Sequence, residues 1–157
     1  MLRISRLADY GTMVMTQMAS QPQRLFSAAD LALSLGLGRA TVSKVLKSLA
    51  RRELVASVRG LHGGYSLSRP PQEITVADIV DALEEQPFGL TECSATSGLC
   101  DIETSCRVRT NWQQISLIVR RALEGVTLAD MAPPLREQPI VLHRAPRAAA
   151  QASESTQ

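Results

Sequence analysis

Three cysteines, Cys93, Cys100 and Cys106, stand within sixteen consecutive residues, TECSATSGLCDIETSC, and the 157-residue chain has no others. Thiols gathered in this way can ligate a metal, exchange disulfides or act as nucleophiles. Six and five residues separate them, and neither interval matches the C-x-x-C pairs of zinc ribbons or thioredoxin-like sites. Thiolates are the favoured ligands of iron-sulfur clusters, and a run containing Ser94, Ser97 and Gly98 can wrap such a group and direct backbone N–H groups at its sulfurs. Three thiolates leave one ligand to be found. Arg107 and Arg109 follow Cys106, where the start of a helix favours acids. An anionic cluster would account for them, and so would phosphate or pairing with Asp101 and Glu103. An enzyme with a thiolate nucleophile is a reading of another class. Neither His62 nor His143 adjoins the cysteines, so the site lacks a base nearby in sequence, and the chain reads as a non-enzyme.

The elements that must position these thiols are mainly helical. Ser5 caps a first helix with the stripe Leu7, Tyr10, Val14 and Met18, which ends near Pro22. Ser27 and Asp30 open a second, with Ala28, Leu31, Ala32 and Leu35 on one face, and Gly36 to Gly38 break the chain. Val42, Val45, Leu46 and Leu49 then give a third amphipathic helix, and the pair reads as a helix-turn-helix. LVASV and GYSLS read as short strands joined by the glycines of RGLHGG, a β wing. Thr75 and Asp78 form a capping-box pattern for a further helix, with Val76, Ile79, Val80 and Leu83 inward and Asp81, Glu84 and Glu85 facing water. After the cysteines, Val108, Trp112, Ile115, Val119 and Ala122 mark a long helix, widened by Ile118 and Leu123 and ended by Gly125. Its stripe calls for an apolar partner, best supplied by a second copy of the chain. The spacing thus predicts a DNA-binding domain over 1–71, a connecting helix over 72–89, a cysteine loop over 90–106 that binds a cluster, a dimerisation helix over 107–125 and an unstructured tail over 126–157.

Charge divides the chain in the same way. Residues 1–70 hold ten Lys and Arg against three Asp and Glu, whereas residues 71–110 hold two against eight. The basic part points to a polyanion. On the third helix Ser43, Lys44 and Lys47 leave the apolar seam, with Arg39 and Thr41 at its N-terminal end, as a recognition helix requires for base edges and flanking phosphates. Arg51 at the far end suits a phosphate, and Arg59 and His62 stand beside the wing glycines, where a hairpin tip meets the minor groove or the backbone. MLRISRLADYG is charged in its first turns and has no uninterrupted apolar run, which predicts neither a signal peptide nor a membrane span, and a cytoplasmic protein.

ISRLADYG, the stretch RATVSKVLKSLARRELVASVRGLHGGYSLSRP and the clustered cysteines before a long helix resemble the bacterial IscR/NsrR-type winged-helix iron-sulfur regulators, and among them the regulators of SUF-type cluster assembly. The resemblance spans about residues 1–130. It implies a repressor of cluster-assembly genes, a homodimer with crossed C-terminal helices, a palindromic double-stranded operator with half-sites roughly one helical turn apart, and a two-iron or four-iron cluster on Cys93, Cys100 and Cys106. Relatives with a two-iron cluster use a histidine three residues after the last cysteine. Arg109 stands there and stays protonated, so it cannot ligate. In the nitric-oxide-sensing relatives an aspartate of the first helix serves from the other subunit, and Asp9 holds that place. Glu92, Asp101, Glu103, an external thiol or water remain open as the fourth ligand. Zinc, thiol oxidation or nitric oxide are the alternative signals for such a regulator.

Overall fold

A computed structural model describes residues 4–60, 62–84 and 87–132. Its first helix, α1 (Arg6–Ala19), starts where the Ser5 hydroxyl accepts the Ala8 N–H at 3.1 Å. α2 (Ala28–Leu35) starts at Ser27, whose hydroxyl accepts the Asp30 N–H, and stops at Gly36, which takes the left-handed φ of 65° that lets the chain turn at once into α3 (Arg39–Arg51). α3 has Gly38 at its N-cap and no side-chain cap. Strands β1 (Val55–Val58) and β2 (Gly64–Leu67) pair antiparallel from Val55 opposite Leu67 to Val58 opposite Gly64. Phe26 adds a single bridge on the other edge of β2 by exchanging two backbone hydrogen bonds with Tyr65, at 2.9 and 2.8 Å. The predicted wing is therefore tied to the entrance of α2.

After a 3₁₀ turn at Pro71–Glu73, α4 (Val76–Leu83) opens on the complete Thr75–Asp78 capping box. It lies against α1 and α3, with Gly11 of α1 meeting Leu83. A Cβ on Gly11 would overlap the Leu83 side chain. Met15, Met18, Leu31, Leu46, Leu49, Leu54, Ile74 and Ile79 fill the core between these elements. α5 (Glu92–Ala95) is one turn carrying Cys93, and α6 (Arg109–Glu124) is the long helix, starting two residues later than the expected 107. The fold is mainly α, a winged helix-turn-helix followed by a long helix.

Residues 126–132, expected as the start of an unstructured tail, are ordered. Val76 donates its N–H to the Val126 carbonyl at 2.9 Å and Leu128 donates to Ile74 at 2.7 Å. α7 (Leu128–Met131) follows, opened by a Thr127–Asp130 capping box, and Leu128 is fully buried in the core. Burial of that side chain, worth about 1.5–3 kcal/mol, holds the segment in place. The rest of the expected tail, 133–157, lies outside the described residues.

Candidate functional site

α3 presents its basic residues outward because Val42, Val45, Leu46 and Leu49 face the core. Arg39, Lys44, Lys47 and Arg51 are exposed, and Thr41 and Ser43 are half-buried beside them. Arg51 donates to the Ser48 hydroxyl at 3.0 Å, which orients the guanidinium along the helix end. Arg59 and His62 are exposed at the tip between β1 and β2. Among the described residues none of Arg39, Lys44, Lys47 and Arg59 is in an ion pair. Uncommitted cations thus run along the exposed side of α3, with another on the adjacent hairpin, an arrangement that can follow a phosphate backbone on both sides of a groove.

Behind α4 lies the cysteine segment. Cys93 is buried on α5, with Sγ 3.4 Å from the Thr91 hydroxyl, and Cys100 and Cys106 are half-buried on the turns between α5 and α6. α5 is fixed to the middle of α6 by Ser116, which is 5% exposed. Its hydroxyl accepts the Leu90 N–H at 3.2 Å and lies 3.1 Å from the Ser94 hydroxyl, while its one hydrogen is shared with the Trp112 carbonyl at 2.8 Å. α6 is fixed to the head in turn. Arg120 grips Asp81 of α4 with two hydrogen bonds, at 3.0 and 2.6 Å, and also Glu124. The Asp81 bonds are the main reason its pKa is raised further. Asp81, expected to face water, is thus the acceptor of a bidentate bridge. Glu84 accepts the Ser5 N–H at 3.1 Å, and Glu85 lies outside the described residues.

Arg109, at the first position of α6, pairs with Glu103 at 2.6 Å, so a carboxylate of the loop offsets this cation where the helix dipole disfavours it. No side-chain partner is found for Arg107 among the described residues. Asp9 is exposed in the first turn of α1 and borders a groove with Thr12, Thr16 and Met131 that no cysteine lines. Three thiols suit an iron-sulfur cluster in kind. In this arrangement, however, no three Cys, His, Asp or Glu side chains converge as metal ligands among the described residues. Sequence reasoning missed Ser116 and Arg120, whose pairing lies across the fold, and read Ser94 only as part of a loop that wraps a cluster. Only Thr91 followed by Ser94, in the manner of a cap, hinted that Cys93 would sit on a helical turn.

The profile of the Rrf2 family, described as iron-dependent transcriptional regulators, matches residues 4–134. The chain belongs to the Rrf2 family. It is a DNA-binding transcription regulator and not an enzyme. Solved structures of other Rrf2-like regulators share the architecture. CymR, the global cysteine regulator of B. subtilis, is 29% identical, with 84% of this chain and 97% of that one covered at a TM-score of 0.67. T. potens IscR is 29% identical, with 83% and 85% covered at 0.63. An oxidized form of Staphylococcus aureus CymR is 26% identical, with 85% and 98% covered at 0.65. The Rrf2 assignment agrees with the exposed basic face of α3. No helix among the described residues is long and apolar enough to cross a membrane.

Proposed function

We propose that this Rrf2 regulator is a homodimeric, cytoplasmic repressor of iron-sulfur assembly genes that reads a palindromic operator and senses through a cluster held by Cys93, Cys100 and Cys106. The observation that carries the reading is connectivity. All three thiols lie between α4, which packs on the recognition helix, and α6, where the N-cap Val108 and Trp112, Ile115 and Ile118 stay 40–64% exposed. Such a stripe fits a second α6. When bound, a cluster supplies a redox-sensitive tie between thiols that otherwise stand apart. Arg39, Thr41 and Ser43 face the major groove with Lys44 and Lys47 on its flanking phosphates, and Arg51, Arg59 and His62 lie on phosphates and at the wing. Asp9 of the partner subunit is the proposed fourth ligand, since an oxygen donor is held more weakly than thiolate and suits a sensor.

Iron and acid-labile sulfide per chain, with the visible spectrum, measured on protein purified without oxygen, test this directly. Matched iron and sulfide in a coloured protein are expected. Cys106→Ala should lose the colour and change operator regulation while keeping the fold, and unchanged regulation in that variant would sink the sensing role. A second reading is favoured by the separation of the thiols: a regulator that responds to thiol oxidation or zinc without a cluster. A protein that stays colourless after anaerobic reconstitution supports that reading.

A further inference from the structure

Between Cys93 and α6 the loop is built around a carboxylate. Glu103 lies three residues from both Cys100 and Cys106 and is only 8% exposed, although its neighbours on either side are open to solvent. It accepts the Gly98 N–H at 2.6 Å and the Ser97 hydroxyl at 2.9 Å, and pairs with Arg109 at 2.6 Å. The donors come from both ends of the loop. Gly98 turns the chain toward the carboxylate at φ 89°, and Arg109 is the first residue of α6. These bonds hold the Glu103 carboxyl below the usual carboxylate range, chiefly through Gly98 and then Ser97, with Arg109 adding to them. Bonds of this kind to a charged group are strong and costly to leave unmade.

A second anchor lies elsewhere on the same helix. α5, with Cys93, is pinned at Ser116, seven residues beyond Arg109, which is roughly 10 Å further along the α6 axis. The Cys93 turn and the Cys100–Cys106 turns are therefore tied to α6 at separate stations, in keeping with the failure of the three thiols to converge.

We propose that Glu103 and Arg109 latch the cysteine loop in an arrangement in which its three thiols do not converge, and that the latch must open before Cys93, Cys100 and Cys106 can gather on a common metal or cluster. The carboxylate is engaged by three donors, which compete with a metal for its oxygens while the latch is closed. Arg109, one of the three, is a positioning residue. The latch sets how readily the loop is loaded. That last step rests on the proposal that the three thiols act together, and the test separates the two.

The reduced, metal-free full chain would be compared with Glu103→Ala and Arg109→Gln in two assays. Dibromobimane, which fluoresces on bridging two thiols, reads their approach without any metal, and cobalt(II) absorption from thiolate ligation reads their affinity. Glu103→Ala is expected to bridge severalfold faster and to bind cobalt at least about tenfold tighter, the factor that corresponds to one charge-assisted hydrogen bond. Arg109→Gln should change both in the same direction by less, and it serves as the test if Glu103→Ala fails to fold. A merely structural residue would not raise metal affinity when removed. Bridging at the wild-type rate in the folded variants overturns the latch, as does weaker cobalt binding with unchanged bridging, which would make Glu103 a ligand. Faster bridging in a protein that binds no cobalt in any form keeps the latch and removes the shared metal site.

Discussion

In the reading head, Met15, Leu31, Val42, Leu46, Leu49 and Ile79 are wholly buried, whereas from Pro87 to Glu124 the buried residues are Cys93, Glu103 and Ser116, a thiol, a carboxylate and a hydroxyl. The head is held by apolar burial, which is nondirectional and spread over many contacts. The cysteine segment is held by a few directional polar bonds, at Ser116, at Glu103 and at Arg120 with Asp81. Few buried apolar contacts mark a region that opens at low cost. A regulator needs both kinds of construction. The DNA-binding part is built to keep its shape, and the cysteine segment can open at low cost without unfolding it.

The division can be tested where it is sharpest. Leu128 follows the cysteine segment in sequence yet belongs to the head's core, so Leu128→Ala should destabilise the head by about 2–5 kcal/mol in urea unfolding. A cost near zero would mean that 126–132 is not part of the head. Trp112→Ala, on the exposed stripe of α6, should weaken self-association about thirtyfold, for a hot-spot loss of about 2 kcal/mol, while the unfolding midpoint of the head barely moves; sedimentation at graded concentration reads the first. Lys44→Ala is expected to leave folding and self-association alone, lower operator affinity at every sequence and reduce the salt slope of binding by about one. The smallest effect concerns Asp130. Its carboxyl is held below the usual range by the Thr127 hydroxyl first and then by the Thr127 N–H. A lowered folded pKa stabilises fully above the unfolded carboxylate value, about 3.9, and the stabilisation is lost as pH falls through the lower folded value. Amide resonances of Thr127 and Asp130 should therefore move only below about pH 4, and in Asp130→Ala that step should vanish.

The head was legible because its signals are local. Ser5, Ser27 and Thr75 each cap the helix expected of them, Gly36 turns the chain, and the wing strands meet around their glycines. The signals that went unread were of the same kind but in unpromising company. Thr127 and Asp130 spell a capping box as plainly as Thr75 and Asp78 do, but they stand just before Pro133 and Pro134 and a tail of Ala, Ser and Gln. The period of α4 places Asp81 on the solvent side, where it is still partly exposed, and cannot reveal an arginine arriving from α6. The pairing of Arg109 with Glu103 was one of the alternatives open in the sequence. The burial of Glu103 was not legible, since a carboxylate among small residues leaves no periodic trace.

The return of the chain at Val126 to pair with Val76 has a consequence for synthesis. Residues 84 and 126 both adjoin α4, so the cysteine segment is an excursion out of the head, and the core stays open until Leu128 has left the ribosome. The nascent head must wait through about forty residues of loop and α6, with part of its apolar interior uncovered, before the last piece arrives from far along the chain. The order of translation thus delivers the cysteine segment before the DNA-binding head can close.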